Sequence, residues 1–163
     1  MGMETEFIIS NATTGDGRKV ASAISSIIAS IPYYNDLAKA GEVDKYKADD
    51  IEAKISDEPH SVIVARIGDD IAGFCLTKFD DNLIWIEWFG VAVEHRGKGI
   101  AGKLLDAMES TVKGRNGHKV WCDTRTSNKE SAHILTKRGY MQIVTIPNHW
   151  YGQDFILWEK PIN

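Results

Sequence analysis

Cysteine, proline and long apolar runs are all scarce in this chain, and each scarcity excludes something. Two cysteines, Cys75 and Cys122, in 163 residues are too few for a disulfide scaffold. The expected state is two reduced, buried thiols in a cytoplasmic compartment. Four prolines beside fourteen glycines, with 26% charged and 43% hydrophobic residues, exclude collagen-like and disordered chains. No apolar run approaches the roughly 18 residues of a membrane span, so no membrane partner is expected. Lys and Arg number 19 against 23 Asp and Glu. That balance weighs against nucleic acid as a partner, because phosphate backbones are met by basic faces. The opening MGMETEF has no basic stretch leading into an apolar one, and Glu6 stands where a myristoylation signal needs Ser or Thr. What remains has the size of one globular domain over residues 1–163.

Periodicity supplies the elements. EFIISN (6–11) reads as a short strand. Val20, Ile24, Ile27, Ile28 and Ile31 recur at helical spacing after a cap at Thr14–Asp16, and Pro32 ends that helix. Residues 33–59 are polar, with room for one or two short helices. The period then becomes two. HSVIVARI (60–67), IAGFCLTKF (71–79) and LIWIEWFGVAV (83–93) are joined by turns too short for anything but antiparallel neighbours. A helix (98–113), a strand (118–124), a helix (about 128–138) and strands at 141–146 and 154–160 follow. Ser127-x-x-Glu130 predicts a capping box and Gly139 a helix stop.

The informative stretch is VAVEHRGKGIAG (91–102), where a strand gives way to a glycine-rich turn and an amphipathic helix. Glycines admit a ligand close to the backbone, and the free N–H groups of a helix's first turn suit phosphate or pyrophosphate. Three patterns fit the letters. Gly97-Lys98-Gly99-Ile100-Ala101-Gly102 spells the dinucleotide GxGxxG, with Asp123 about 20 residues on. However, Glu94, His95 and Arg96 separate strand from glycine, and the strands upstream form an antiparallel meander. Gly97-x4-Gly102-Lys103 spells most of a Walker A loop, but Leu104 stands where the Mg²⁺-holding hydroxyl belongs. Arg96-x-x-Gly99-x-Ala101 resembles motif A of the GNAT acetyltransferases, Q/R-x-x-G-x-G/A between strand and helix. That resemblance continues over roughly residues 60–160, through Asn128, Arg138-Gly139-Tyr140 and the closing Trp158-Glu159-Lys160-Pro161.

The resemblance implies a mixed, mostly antiparallel α+β sheet of six or seven strands flanked by helices, in a single α/β/α domain. It implies acetyl-CoA as co-substrate, no metal, and transfer to a primary amine by direct attack. Val91, Val93, Arg96, Gly97, Lys98, Gly99, Ile100, Ala101, Gly102 and Asn128 are the expected CoA contacts. Backbone N–H groups of the turn would hold the pyrophosphate, the edge of strand 90–93 and Asn128 the pantetheine, and the N–H of Val91 the oxyanion. A homodimer, common in the family, would be consistent with it. A non-catalytic acyl-CoA-binding module is the main alternative, and a nucleotide-binding protein the next.

Amine acetylation needs a base for the ammonium and a proton for the leaving thiolate. Glu87 is the one acid of strand 83–93, amid Trp85, Ile86, Trp88 and Phe89, and lies nine residues before Arg96 as the base does in polyamine-type relatives. Strict alternation places Trp85, Glu87, Phe89 and Val91 on one face. Partial desolvation there would raise its pKa toward that of a useful base. The family's acid, a tyrosine seven residues after the helix-opening Asn, is here Leu135. Tyr140 is the named substitute, with Tyr151, His133 and His149 as further candidates. The family's acceptor surfaces fall at 32–58 and 147–153, whose carboxylates and aromatics suit a cationic small amine or polyamine.

Overall fold

The structure, a computed structural model, describes residues 6–162. Residues 1–5, on which most of the leader reading rests, lie outside the described residues. The chain runs through β1 (Ile8–Asn11), α1 (Gly17–Ser30), α2 (Asp36–Lys45), α3 (Ala48–Asp57), β2 (Val62–Ile67), β3 (Asp70–Asp80) and β4 (Leu83–Val91). Then come α4 (Ile100–Gly114), β5 (Lys119–Arg125), α5 (Lys129–Lys137), β6 (Met141–Ile146) and β7 (Phe155–Pro161), with one-turn 3₁₀ segments at Val93–His95 and Trp150–Gly152.

Seven strands form one sheet in the order β1-β2-β3-β4-β5-β7-β6, antiparallel throughout except between β4 and β5. The meander and the mixed sheet expected from sequence are both present. Each sheet face is apolar and must be covered. On one side α4 and α5 bury Ile100, Leu104, Leu105, Met108 and Leu135 against Ile63, Ile86, Val91 and Trp158. On the other, α1, α2 and α3 bury Ile24, Ile28, Ala38, Ile51 and Ile55 against Val62, Val64, Phe74 and Leu76. The result is an α/β/α sandwich. Among the described residues, no helix is long and apolar enough to cross a membrane.

Segment 33–59 resolves into two helices. Asn35 caps α2 by accepting from Ala38 N–H at 2.8 Å. Glu52 of α3 reaches across to the start of α1 and accepts from the N–H groups of Gly15 and Gly17 at 2.8 and 2.7 Å. Its carboxylate therefore does for α1 what a local cap does elsewhere. Asp16 itself makes no cap bond to α1, and instead accepts from Thr13 and pairs with Arg66 of β2. The cap of α5 also falls one residue later than expected. Asn128, not Ser127, is the N-cap and accepts from Ser131 N–H at 3.1 Å. Glu130 then faces Arg96 at 3.9 Å rather than closing a capping box.

Candidate functional site

β4 and β5 pair only over Leu83–Ile86 and Lys119–Cys122. β4 runs on to Val91 and β5 to Arg125, so beyond Ile86 and Cys122 the two strands lie apart. A cleft of about 1390 Å³ opens at this fork. It is lined by Glu87–Val91 on one wall and Cys122–Arg125 on the other. The glycine turn and the N-terminus of α4 also line it, as do Tyr33, Tyr34, Tyr46, Trp150 and Tyr151.

The fork coincides with a bulge. Opposite β3 the register passes from Leu76↔Trp88 to Thr77↔Ile86, leaving Glu87 as the extra residue. This corrects the strict alternation. Ile86, Phe89 and Val91 pack on the α4 side. Trp88 packs on the α1–α3 side, and Glu87 bonds a residue of α3. Glu87 still lines the cleft, but its Oε1 accepts from Lys54 Nζ of α3 at 2.9 Å.

Past the bulge the backbone alternates regularly. Ala92 N–H donates to Ala72 O of β3 at 2.8 Å. The N–H of Val91, one residue earlier, therefore points the opposite way, into the fork. The Val91 carbonyl on that side accepts from Arg96 Nε at 3.2 Å. β4 ends at Val91, two residues short of the expected boundary, because Val93–His95 winds into a 3₁₀ turn.

Gly97 and Gly99 have φ of 77° and 80°, the left-handed region that glycine enters without penalty. Gly99 is the N-cap of α4 and offers no side-chain cap, so the first-turn N–H groups stay open to a ligand. A Cβ at either glycine would meet nothing within 4 Å. The turn is a cradle, and its residues fit a pyrophosphate. Of the expected contacts, Val91, Arg96, Gly97, Gly99, Ile100, Ala101, Gly102 and Asn128 line the cleft, whereas Val93 and Lys98 are not part of its lining. The Lys98 ammonium lies 3.3 Å from His95 Nδ1.

Tyr140, the substitute acid, is also outside the lining. It is buried, donates its hydroxyl to Glu109 Oε1 at 3.2 Å, and burial beside that carboxylate pushes its pKa far up. It serves the core, as does Leu135. Tyr151 and His133 do line the cleft; His149 is outside its lining and packs at a tilt against Trp150. Burial pushes the Cys75 thiol up to about 12 and the Cys122 thiol up further, so both stay protonated. Among the described residues no three His, Cys, Asp or Glu side chains converge as a metal site.

Among the charged cleft residues, the sequence reading named Asp123 only as the acid of a dinucleotide pattern and did not name Arg125. Asp123 and Arg125 are alternate residues of β5 and both line the cleft. Burial raises the Asp123 pKa above the ordinary aspartate value, opposed by a hydrogen bond from Trp150 Nε1 to Oδ2 at 2.8 Å. The signal in sequence was a charged pair, Asp-Thr-Arg, closing an otherwise apolar strand. On the acceptor side the cleft takes Pro32, Glu42, Lys45 and the aromatics, while the acidic run Asp49–Glu58 stands apart from it.

Residues 28–140 match the model of the acetyltransferase (GNAT) family. An acetyltransferase of Pectobacterium atrosepticum is 29% identical over 91 residues, 56% of this chain and 64% of the relative. One of Sodalis glossinidius is 26% identical over the same shares. The chain thus spans less than two-thirds of the length of either relative. The PaiA N-acetyltransferase of Thermoplasma acidophilum, solved with coenzyme A, superposes with a TM-score of 0.83 at 16% identity, covering 96% of this chain and 99% of that one. A GNAT-family acetyltransferase of Streptococcus pneumoniae gives 0.83 at 14% identity, covering 97% and 100%. At such identities the likeness concerns the fold.

Proposed function

The chain belongs to the acetyltransferase (GNAT) family, and from that premise we propose that it transfers an acetyl group from acetyl-CoA to a primary amine of a small acceptor. The observation that carries the proposal is the fork between β4 and β5, lined by an open helix N-terminus and by aromatic and acidic side chains. The α4 turn would take the pyrophosphate, Asn128 and the β4 edge the pantetheine, and the N–H of Val91 the carbonyl oxygen as it gains charge.

The base belongs at the fork, where the thioester carbonyl would lie. Glu87 is the expected candidate and lines the cleft, but Lys54 holds one of its oxygens. Asp123 lies on the facing strand, is desolvated, and accepts from Trp150 through Oδ2. We assign it the proton of the acceptor ammonium. The amine nitrogen then attacks the thioester carbon, and the tetrahedral intermediate expels the thiolate. With Leu135 buried at the family's tyrosine position, that thiolate takes, through water, the second proton that the nitrogen gives up on becoming an amide. The same absence favours the second reading, a CoA-binding module without turnover. The reduced, cytoplasmic setting remains part of the proposal, supported by two free, buried cysteines.

An acetylation assay over an amine panel, with release of free CoA as the signal, separates the two. Turnover that Asp123→Asn cuts 10²-fold or more supports the enzyme. CoA binding with no turnover across the panel favours the binding module, and failure to bind CoA overturns both.

A further inference from the structure

Arg125 is a cation in an unusual position. It is 8% exposed, and its guanidinium lies over the Tyr34 ring at 3.6 Å and near the Phe155 ring at 5.0 Å. Nε donates to Gln153 Oε1 at 2.8 Å, and Gln153 is itself fixed through Nε2 to the Tyr33 carbonyl at 2.8 Å. Nη2 is buried and has no hydrogen-bond partner among the described residues. None of the ion pairs among the described residues involves Arg125. Asp123 feels its charge but does not pair with it, and a desolvated charge with no ion-pair partner is costly. Aromatic stacking recovers a part of that cost.

The surroundings indicate which anion would complete it. The phosphates of a bound CoA belong at the glycine turn beyond the end of β4, and its pantetheine arm is uncharged. Arg125 instead contacts Tyr34, Phe155 and Gln153, and lines the cleft together with the first two. Two residues earlier on the same strand face stands Asp123. Along a strand such positions are roughly 7 Å apart. An acceptor bearing an ammonium and a carboxylate on one carbon spans that interval with a hydrogen bond at each end. A polyamine would place a second ammonium against a guanidinium in a partly desolvated site, where like charges repel strongly.

We infer that the acceptor is an amino acid or a close analogue, bound by its ammonium on Asp123 and by its carboxylate on Arg125. The inference rests on the acetyl-transfer reading and adds the substrate class. The bidentate geometry of a guanidinium suits a carboxylate, and the fixed Gln153 contact orients it before binding.

The test compares matched acceptors: methionine, phenylalanine and lysine, each beside its amide and its decarboxylated amine. The wild type is expected to favour the free amino acid in at least one set by about 10²-fold in kcat/KM. Arg125→Gln should collapse that ratio to within about threefold, chiefly through KM, and Arg125→Lys should restore part of it. CoA titration of each variant verifies folding and the cofactor half of the site. Calorimetric titration of the CoA-loaded protein with the same compounds covers acceptors that bind without turnover. Equal or better use of the amines, a ratio unchanged by Arg125→Gln, or no amino acid bound at all overturns the inference. So does a loss of CoA affinity in Arg125→Gln in place of the change in ratio. If the wild type fails to bind CoA, the acetyl-transfer reading falls instead.

Discussion

Replacing Gly99 by alanine separates the turn's backbone strain from its service to a ligand. Gly99 has φ of 80° and no neighbour within 4 Å of a built Cβ. The substitution therefore carries a conformational penalty and no packing clash. Holding an alanine in the left-handed region costs about 1–2 kcal/mol. For a chain of this length each kcal/mol lowers Tm by roughly 2–4 °C, so a fall of about 2–8 °C is expected. Gly68, in the β2–β3 turn, supplies the control: its φ is 60° and its Cβ would also meet nothing within 4 Å. Gly68→Ala should cost a similar amount. The two variants part company with CoA. On the proposed reading, a methyl group on the N-cap of α4 would crowd the phosphates that the first-turn N–H groups hold. Gly99→Ala should therefore raise the Kd for CoA about tenfold, close to 1.4 kcal/mol, while Gly68→Ala leaves it as in the wild type. Scanning fluorimetry gives the Tm values and calorimetric titration the Kd values. The assignment of the turn is refuted if Gly99→Ala binds CoA as tightly as Gly68→Ala does.

Two further outcomes follow from the charged groups. Burial raises the Asp123 pKa, so the acidic limb of kcat/KM against pH should lie above the ordinary aspartate value of about 3.9. Asp123→Asn should abolish that limb, and Glu87→Gln should keep it with a smaller loss of rate; the reverse pattern returns the base to Glu87. Burial pushes the Asp16 carboxyl up, yet its bonds from Arg66 and Thr13 outweigh this and hold its pKa below the ordinary value. Its contribution is therefore present above the unfolded pKa and lost as pH falls through the lower folded one. Asp16→Asn should cost about 1–3 kcal/mol near pH 7. Urea melts at pH 7 and at a pH below the ordinary aspartate range should show that gap closing as the carboxyl protonates, and an equal gap at both pH values contradicts the pairing.

Much of the fold was legible because its signals are local. Two-residue turns dictate a meander, and the isoleucines of α1 recur at helical spacing whatever lies opposite. Gly99 and Gly97 were legible for the same reason, since a positive φ leaves its mark as glycine. The bulge left none. An extra residue at Glu87 is defined only by its partner strand, so counting along β4 alone carried Phe89 and Val91 to the wrong face relative to Ile86. Tyr140 looked available because a tyrosine's reach is invisible in sequence, and its bond to Glu109 is made across 31 positions. Asp123 and Arg125 depend on tertiary burial in the same way. An aspartate and an arginine at a strand end read as solvated until Tyr34, Trp150 and Phe155 close over them.

The fork also bears on how the chain avoids pairing strands with its own copies. From Glu87 to Val91, β4 presents an unpaired edge in the middle of a sheet, of the kind through which chains add strands to one another and aggregate. Outer edges are commonly guarded by charges and bulges, and this inner edge carries both. The bulge at Glu87 breaks the register an incoming strand would follow, Arg96 occupies the Val91 carbonyl, and Asp123 faces the gap. A slim ligand can still reach the amides that a polypeptide cannot zip onto. The groups that admit the cofactor thus double as gatekeepers against misassembly, and removing them should be paid for in aggregation as well as in activity.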